Sequence, residues 1–286
     1  MNLPSSVFIQ ATTLDEALKA RARRPEARFV AGGTTTIPDQ NLGRFQPEGY
    51  ISLRRIPGLR RIEETGDGLF LGAGCTMADL LTNALLEDQP MIRLAARTTG
   101  TRQLRSRSTV GGNLFTTRTD RTLPPCLLAL EAVAHLVSAS GESRRDLGET
   151  LRVHRERGAE PEILVGVTVP RAAGFQDFTR VAPRNGAGNA TASVALCVDP
   201  GRKAVRLGLG GAGPVAMRAL EAERFAESAI DWEDRSLDET AAVEFGEIAA
   251  AHCDPPDDAI GSAAYRRHAI KVMARRILER AWVEMP

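Results

Sequence analysis

Two short stretches constrain this 286-residue chain more than anything else in it: FVAGGTTTIP, Phe29 to Pro38, and STVGGNLFTT, Ser108 to Thr117. Each sets a Gly-Gly pair among hydroxyl side chains, and the first follows a short apolar run that reads as a strand entering a turn. Glycine permits positive φ and removes the Cβ that would block a ligand. Successive N–H groups in such a turn form an anion-binding nest, to which neighbouring Ser and Thr hydroxyls add donors. That chemistry suits a pyrophosphate. Neither stretch is G-x-G-x-x-G, and neither carries the lysine of a P-loop. On these residues alone, two tight turns that hold only themselves remain an open alternative.

Composition narrows the class. A formal net charge of +1, with arginines interleaved among Asp and Glu, removes any bulk electrostatic case for nucleic acid or an anionic membrane. The cysteines Cys75, Cys126, Cys197 and Cys253 lie far apart with no C-x-x-C pair. That argues against a cysteine-ligated iron–sulfur cluster or zinc ribbon within this chain, and against a metal site of its own. It suits free thiols in a reducing cytoplasm. The opening MNLPSSVFIQ has neither the basic start nor the apolar core of a signal peptide, and no segment approaches twenty apolar residues. The expectation is a cytoplasmic protein.

Along the chain, TTLDEALKARARR reads as a helix opened by a Thr13/Glu16 capping box, and ARFVAGG as the strand after it. Strands and turns follow through GYISLRRIPGLRRIEETGDGLFLGAGCT, with turns at Pro57-Gly58 and Gly66-Asp67-Gly68. Thr76 with Asp79 starts another helix. LPPCLLALEAVAHLVSA passes from helix to strand, and EILVGVTVP is a strand. From about Gly174 the character changes. DFTRVA, NATASVALCVD and AVRLGLGGAG read as three antiparallel strands, and MRALEAERFAE, SLDETAAVEFGEIAAAH and AAYRRHAIKVMARRILERAW as helices. A boundary falls near residue 173, with parts at about 1–55 and 56–173 before it and 174–286 after it.

Four blocks, in this order, resemble the FAD-binding medium subunits of molybdenum hydroxylases such as carbon monoxide dehydrogenase and xanthine dehydrogenase. They are AGGTTTIP; TRQLRSRSTVGGNLFTTRTDRTLPPCLLALEA; DFTRVAPR through TASVAL with GLGGAGPVAMRALEAE; and SAAYRRHAIKVMARRILERA. The resemblance implies an α+β fold. Two α/β subdomains of PCMH type enclose FAD, followed by a C-terminal domain of a three-stranded antiparallel sheet plus helices. It implies that Ala31, Gly32, Gly33, Thr34, Thr35 and Thr36 supply main-chain donors to the FAD pyrophosphate from the first subdomain. Thr109, Gly111, Gly112, Asn113 and Thr116 would do so from the second.

The chain departs from that pattern near the ribityl chain and ring. Thr122 stands where many relatives carry an acid, with Asp120 two residues earlier as the candidate ribityl partner or a solvated loop acid. Arg180 stands where relatives often have Lys, and would lie near the isoalloxazine. Gly188-Asn189-Ala190 replaces a common Asp-Ile-Ala. Arg105 reads as either a surface charge or a residue with a structural or FAD-binding role. His135, His154, His252 and His268 read as structural or exposed, because no partner motif surrounds them. Tyr265 and the arginines of the last helix read as packing and surface.

The resemblance therefore implies an electron-transfer flavoprotein subunit in a hetero-oligomer. A [2Fe–2S] subunit and a molybdopterin-cofactor subunit would be its partners, with a small-molecule electron acceptor such as NAD, a quinone or oxygen. A stand-alone flavin oxidoreductase acting on a small organic molecule remains open. So does an interaction protein that has lost FAD, against which the intact glycine stretches argue.

Overall fold

The structure, a computed structural model, describes residues 7–116, 118–157, 162–171, 173–183 and 189–284. The chain divides into two compact units. One comprises Met1–Leu85, Thr101–Thr116 and Val133–Val169; the other comprises Leu86–Gly100, Thr117–Ala132 and Pro170–Pro286.

The first unit holds two sheets. β1 (Val7–Gln10), β2 (Arg28–Val30) and β3 (Gly49–Ser52) form a parallel sheet in the order β1-β3-β2. Parallel strands need crossover connections, and the helix Leu14–Arg23 lies in the one from β1 to β2, on either side of β3. Thr13 and Glu16 make the capping box that their spacing predicts, and Ala17 turns inward onto a core with Ile51, Ile56 and Leu59. β4 (Ile62–Thr65), β5 (Gly68–Gly72), β6 (Val133–Ser138), β7 (Gly141–Asp146) and β8 (Ile163–Val169) form an antiparallel sheet in the order β4-β5-β8-β6-β7. The second capping box, Thr76 with Asp79, opens the helix Met77–Thr82. The strand β7 has the sequence GESRRD and a largely exposed face. It lies at a sheet edge, where backbone pairing with β6 suffices and no apolar alternation is needed, so periodicity passes over it.

The second unit is built on β9 (Phe175–Val181), β10 (Ala192–Asp199), β11 (Ala204–Gly210) and β12 (Met217–Arg218), antiparallel in the order β12-β11-β10-β9. The three expected antiparallel strands are β9, β10 and β11, and a two-residue fourth strand extends them. Met217 and Arg218 pair with Leu209 and Gly208 as a short edge strand, so the helix assigned to MRALEAERFAE begins at Leu220. All eight residues of β10 are buried, because helices cover both faces of the sheet. Ala192, Val194, Leu196 and Val198 pack with Ile270, Ala274, Ile277 and Leu278 of the long helix Ala263–Glu284. On the other face the helix Leu123–Ala129 sits so close that a Cβ on Gly208 would overlap the Pro125 carbonyl.

All four cysteines are free and buried. Burial pushes the Cys197 thiol up to about 12 and those of Cys75 and Cys253 to about 11. No helix among the described residues is long and apolar enough to cross a membrane.

Candidate functional site

Both glycine stretches belong to the first unit, and the structure brings them into contact. The first begins where β2 ends, its last residue fixed by the Leu53 N–H donating to the Val30 carbonyl (2.9 Å). In open sheets a loop at the carboxyl end of a parallel strand is where ligands bind. Ala31 to Thr35 form this loop, half-buried throughout, and the helix Thr36–Asn41 follows. Gly32 lies directly on the backbone entering the second stretch: a Cβ there would overlap the Arg107 carbonyl oxygen and reach within 2.8 Å of its carbon. Gly33 has φ of +71°, the left-handed region that glycine tolerates best. Among the described residues, no group accepts a hydrogen bond from the backbone N–H of Gly32, Gly33 or Thr34. The helix beyond is pinned by the Tyr50 hydroxyl donating to Gln40 and by the Arg44–Asp39 ion pair.

The second stretch is no turn. Val110–Leu114 is a short helix in spite of its two glycines, with Thr109 as its cap: the Gly112 N–H donates to Thr109 Oγ1 (3.1 Å). Its other donors are engaged as well. The Val110 N–H donates to the Cys75 carbonyl (2.9 Å), Gly111 to Ala73 (2.8 Å), Asn113 to Thr109 (2.9 Å) and Phe115 to Gly111 (2.8 Å). Gly111 is glycine because its Cβ would stand 3.0 Å from the Ala73 Cβ and 3.1 Å from the Ala73 oxygen. Gly112 is different. It is exposed, and a Cβ there would meet only Thr109 Oγ1, at 3.0 Å. Unlike the first, this stretch has its amides engaged: Thr109 and Asn113 are buried, Thr116 is half-buried, and Gly112 alone turns an open face outward.

Asp120, Thr122 and Arg180 lie in the second unit. Asp120 is buried rather than solvated, flanked by Arg118 (2.9 Å) and Arg121 (3.4 Å). Arg180 is half-buried near the end of β9, paired in register with Ser193 of β10, and desolvation lowers its pKa. Thr122 has a structural use: its hydroxyl donates to the Ala95 carbonyl (2.9 Å) and meets Thr99 Oγ1 (2.9 Å), joining the helices Pro90–Thr98 and Leu123–Ala129. Gly188 lies outside the described residues. Arg105, in the first unit, is half-buried.

Two residues escape a reading by sequence. Arg266 is 1% exposed and is no surface arginine. It donates to the Thr191 carbonyl at the start of β10 and to the Gly261 carbonyl (3.3 Å), and pairs with Asp258 (2.7 Å). The other is His154, whose ring stacks on Phe115 with centroids 4.1 Å apart and planes at 14°. Nothing in the sequence links positions 115 and 154, since a helix and a hairpin of chain separate them. Of the other histidines, His135 hydrogen-bonds Thr168 Oγ1 (2.8 Å), and His252 pairs with Glu221 (2.7 Å).

Known proteins of similar sequence share this architecture. A family model described as the FAD binding domain in molybdopterin dehydrogenase matches residues 4–172, and one described as the CO dehydrogenase flavoprotein C-terminal domain matches residues 178–281. The chain is 31% identical to the 6-hydroxypseudooxynicotine dehydrogenase complex subunit alpha of Paenarthrobacter nicotinovorans, over 98% of this chain and 96% of that one. It is 28% identical to the carbon monoxide dehydrogenase medium chain of Hydrogenophaga pseudoflava, over 90% of each. A solved structure of carbon monoxide dehydrogenase from Hydrogenophaga pseudoflava superimposes with a TM-score of 0.89 at 26% identity, covering 100% of both chains. The chain thus belongs to the family of FAD binding domains in molybdopterin dehydrogenases, and carries that family's CO dehydrogenase flavoprotein C-terminal domain as its second part.

Proposed function

We propose that this chain is the FAD-binding, electron-transferring subunit of a molybdenum hydroxylase-type dehydrogenase, receiving electrons from iron–sulfur clusters on a partner chain and passing them to a small acceptor. The observation that carries this reading is the edge-to-edge meeting of the two glycine stretches, with the amides of Gly32, Gly33 and Thr34 unengaged beside the hydroxyls of Thr34 to Thr36. That donor set fits a pyrophosphate. The amides are neutral and fixed in direction, so they match phosphate oxygens without the desolvation cost of a buried cation. Thr109, Asn113 and Thr116 complete the cradle from the second stretch. Flavin supplies both hydride and one-electron chemistry, which suits a relay between single-electron clusters and an acceptor. This chain's own part is to hold the cofactor, orient it and set its surroundings. The substrate-oxidising molybdenum centre and the [2Fe–2S] clusters belong to separate subunits.

The test is purification of the tagged chain with its binding partners. The expected result is a yellow protein that releases FAD on acid precipitation, in a complex containing iron and molybdenum. A colourless chain that takes up no added FAD would defeat the reading. FAD without iron, molybdenum or co-purifying subunits would move it to a stand-alone flavin enzyme.

A further inference from the structure

The second glycine stretch needs something to hold its far end. Its helix is only Val110–Leu114, with two glycines inside it, and each interior glycine costs about 1 kcal/mol of helix preference relative to alanine. Thr109 caps the beginning. At the other end stands Phe115, whose N–H closes the last turn onto the Gly111 carbonyl (2.8 Å). His154, midway along the helix Leu147–Arg157, meets Phe115 twice. Its ring lies flat on the phenyl ring at 4.1 Å, and a ring N–H donates to the Phe115 carbonyl.

We propose that His154 is a positioning residue for the FAD site: by fixing Phe115 in ring and carbonyl, it sets where the Gly111–Gly112 helix ends and where Thr116 emerges. The proposal rests on the FAD reading above. The two contacts restrain different freedoms. The stack fixes the plane of the Phe115 side chain, and the hydrogen bond fixes its peptide group, so together they leave the chain one way to leave the helix. Burial pushes the His154 pKa down, which keeps the ring neutral with one N–H to donate. A cation at this position would sit on the helix side of the loop. A neutral ring instead gives shape without charge, consistent with a structural hold on the loop rather than a contact with phosphate.

The experiment compares wild type with His154→Leu, His154→Phe and His154→Gln in the full chain. The readouts are hydrogen exchange of the amides at 112–116 without flavin, and the FAD dissociation constant by fluorescence titration. His154→Leu should speed exchange of the Phe115 amide and weaken FAD about tenfold, the factor that about 1.4 kcal/mol represents. His154→Phe restores the stack and His154→Gln restores the donor, so each should recover part of the loss. Should His154→Leu fail to fold, the Phe and Gln variants carry the same comparison. Unchanged exchange and unchanged affinity in all three would overturn the proposal. If wild type itself binds no FAD, the functional reading fails, and the exchange arm still decides whether His154 holds the loop.

Discussion

The two glycine stretches look alike as text and differ as structure. In the first, Gly32 and Gly33 sit in an open loop and leave their amides unengaged; in the second, Gly111 and Gly112 sit in a helix whose amides all have acceptors. Even the reasons for glycine differ. Gly32 and Gly111 make room for the protein's own backbone, Gly33 for a left-handed φ, and only Gly112 presents an open face. A Gly-Gly motif in a cofactor-binding chain is therefore not one device used twice. The first stretch gives directional main-chain donors. The second gives a rigid platform on which the first is seated.

The largest effect should come from breaking that seat. Gly32→Val forces a Cβ into the Arg107 carbonyl. Backbone cannot step aside as a side chain can, so the cost should be about 3 kcal/mol or more, read as a fall in Tm of roughly 6 °C or more. FAD binding should be lost with it. A Gly32→Val chain of native stability would mean the two stretches do not touch.

Gly33→Ala comes next. A left-handed φ costs a residue with a Cβ about 1–2 kcal/mol, and the Ile37 Cγ1 would stand 3.2 Å away. Gly33→Asn should cost clearly less, because Asn tolerates this region. Equal denaturation midpoints for the Ala and Asn variants would show that crowding, not φ, is what selects glycine here.

Much of the scaffold was legible. The capping boxes at Thr13/Glu16 and Thr76/Asp79 announce two helices by spacing alone, and NATASVALCVD reads as the strand it forms, β10. The pieces that escaped are those held by contacts distant in sequence. Two glycines argue against a helix at Val110–Leu114, and it forms because Thr109 caps it and the carbonyls of Ala73 and Cys75 receive its amides. Arg266 reads as one more arginine on an amphipathic helix, until Thr191, seventy-five residues away, is found beneath it. In the candidate site, the residue types pointed to two stretches that the fold brings together. They could not say which glycine serves a ligand and which serves the fold, because that depends on what lies opposite each missing Cβ.

The cap tests the second stretch as a self-sufficient platform. Thr109→Ala removes the acceptor for the Gly112 N–H and should cost about 1 kcal/mol, visible in the denaturation midpoint. Thr109→Ser keeps the hydroxyl and should recover most of it. If serine does no better than alanine, the methyl group of Thr109 matters and its hydroxyl does not.

Gly112→Ala should change stability least and discriminate most. The added Cβ meets only Thr109 Oγ1, at 3.0 Å, and presses on the oxygen that accepts the residue's own N–H. Against that small strain stands the gain of about 1 kcal/mol that alanine brings to a helix interior. The net change should lie within about 0.5 kcal/mol, the range of ordinary surface substitutions. FAD affinity should not follow. If the open face of Gly112 receives the cofactor, a methyl group there stands between the platform and the pyrophosphate, and the dissociation constant should rise tenfold or more while the Tm holds. Gly32→Val loses binding by losing the fold; Gly112→Ala would lose binding alone. Unchanged affinity in a stable Gly112→Ala chain would confine FAD recognition to the first loop and reduce the second to a support, the sharpest form the difference between the two stretches could take.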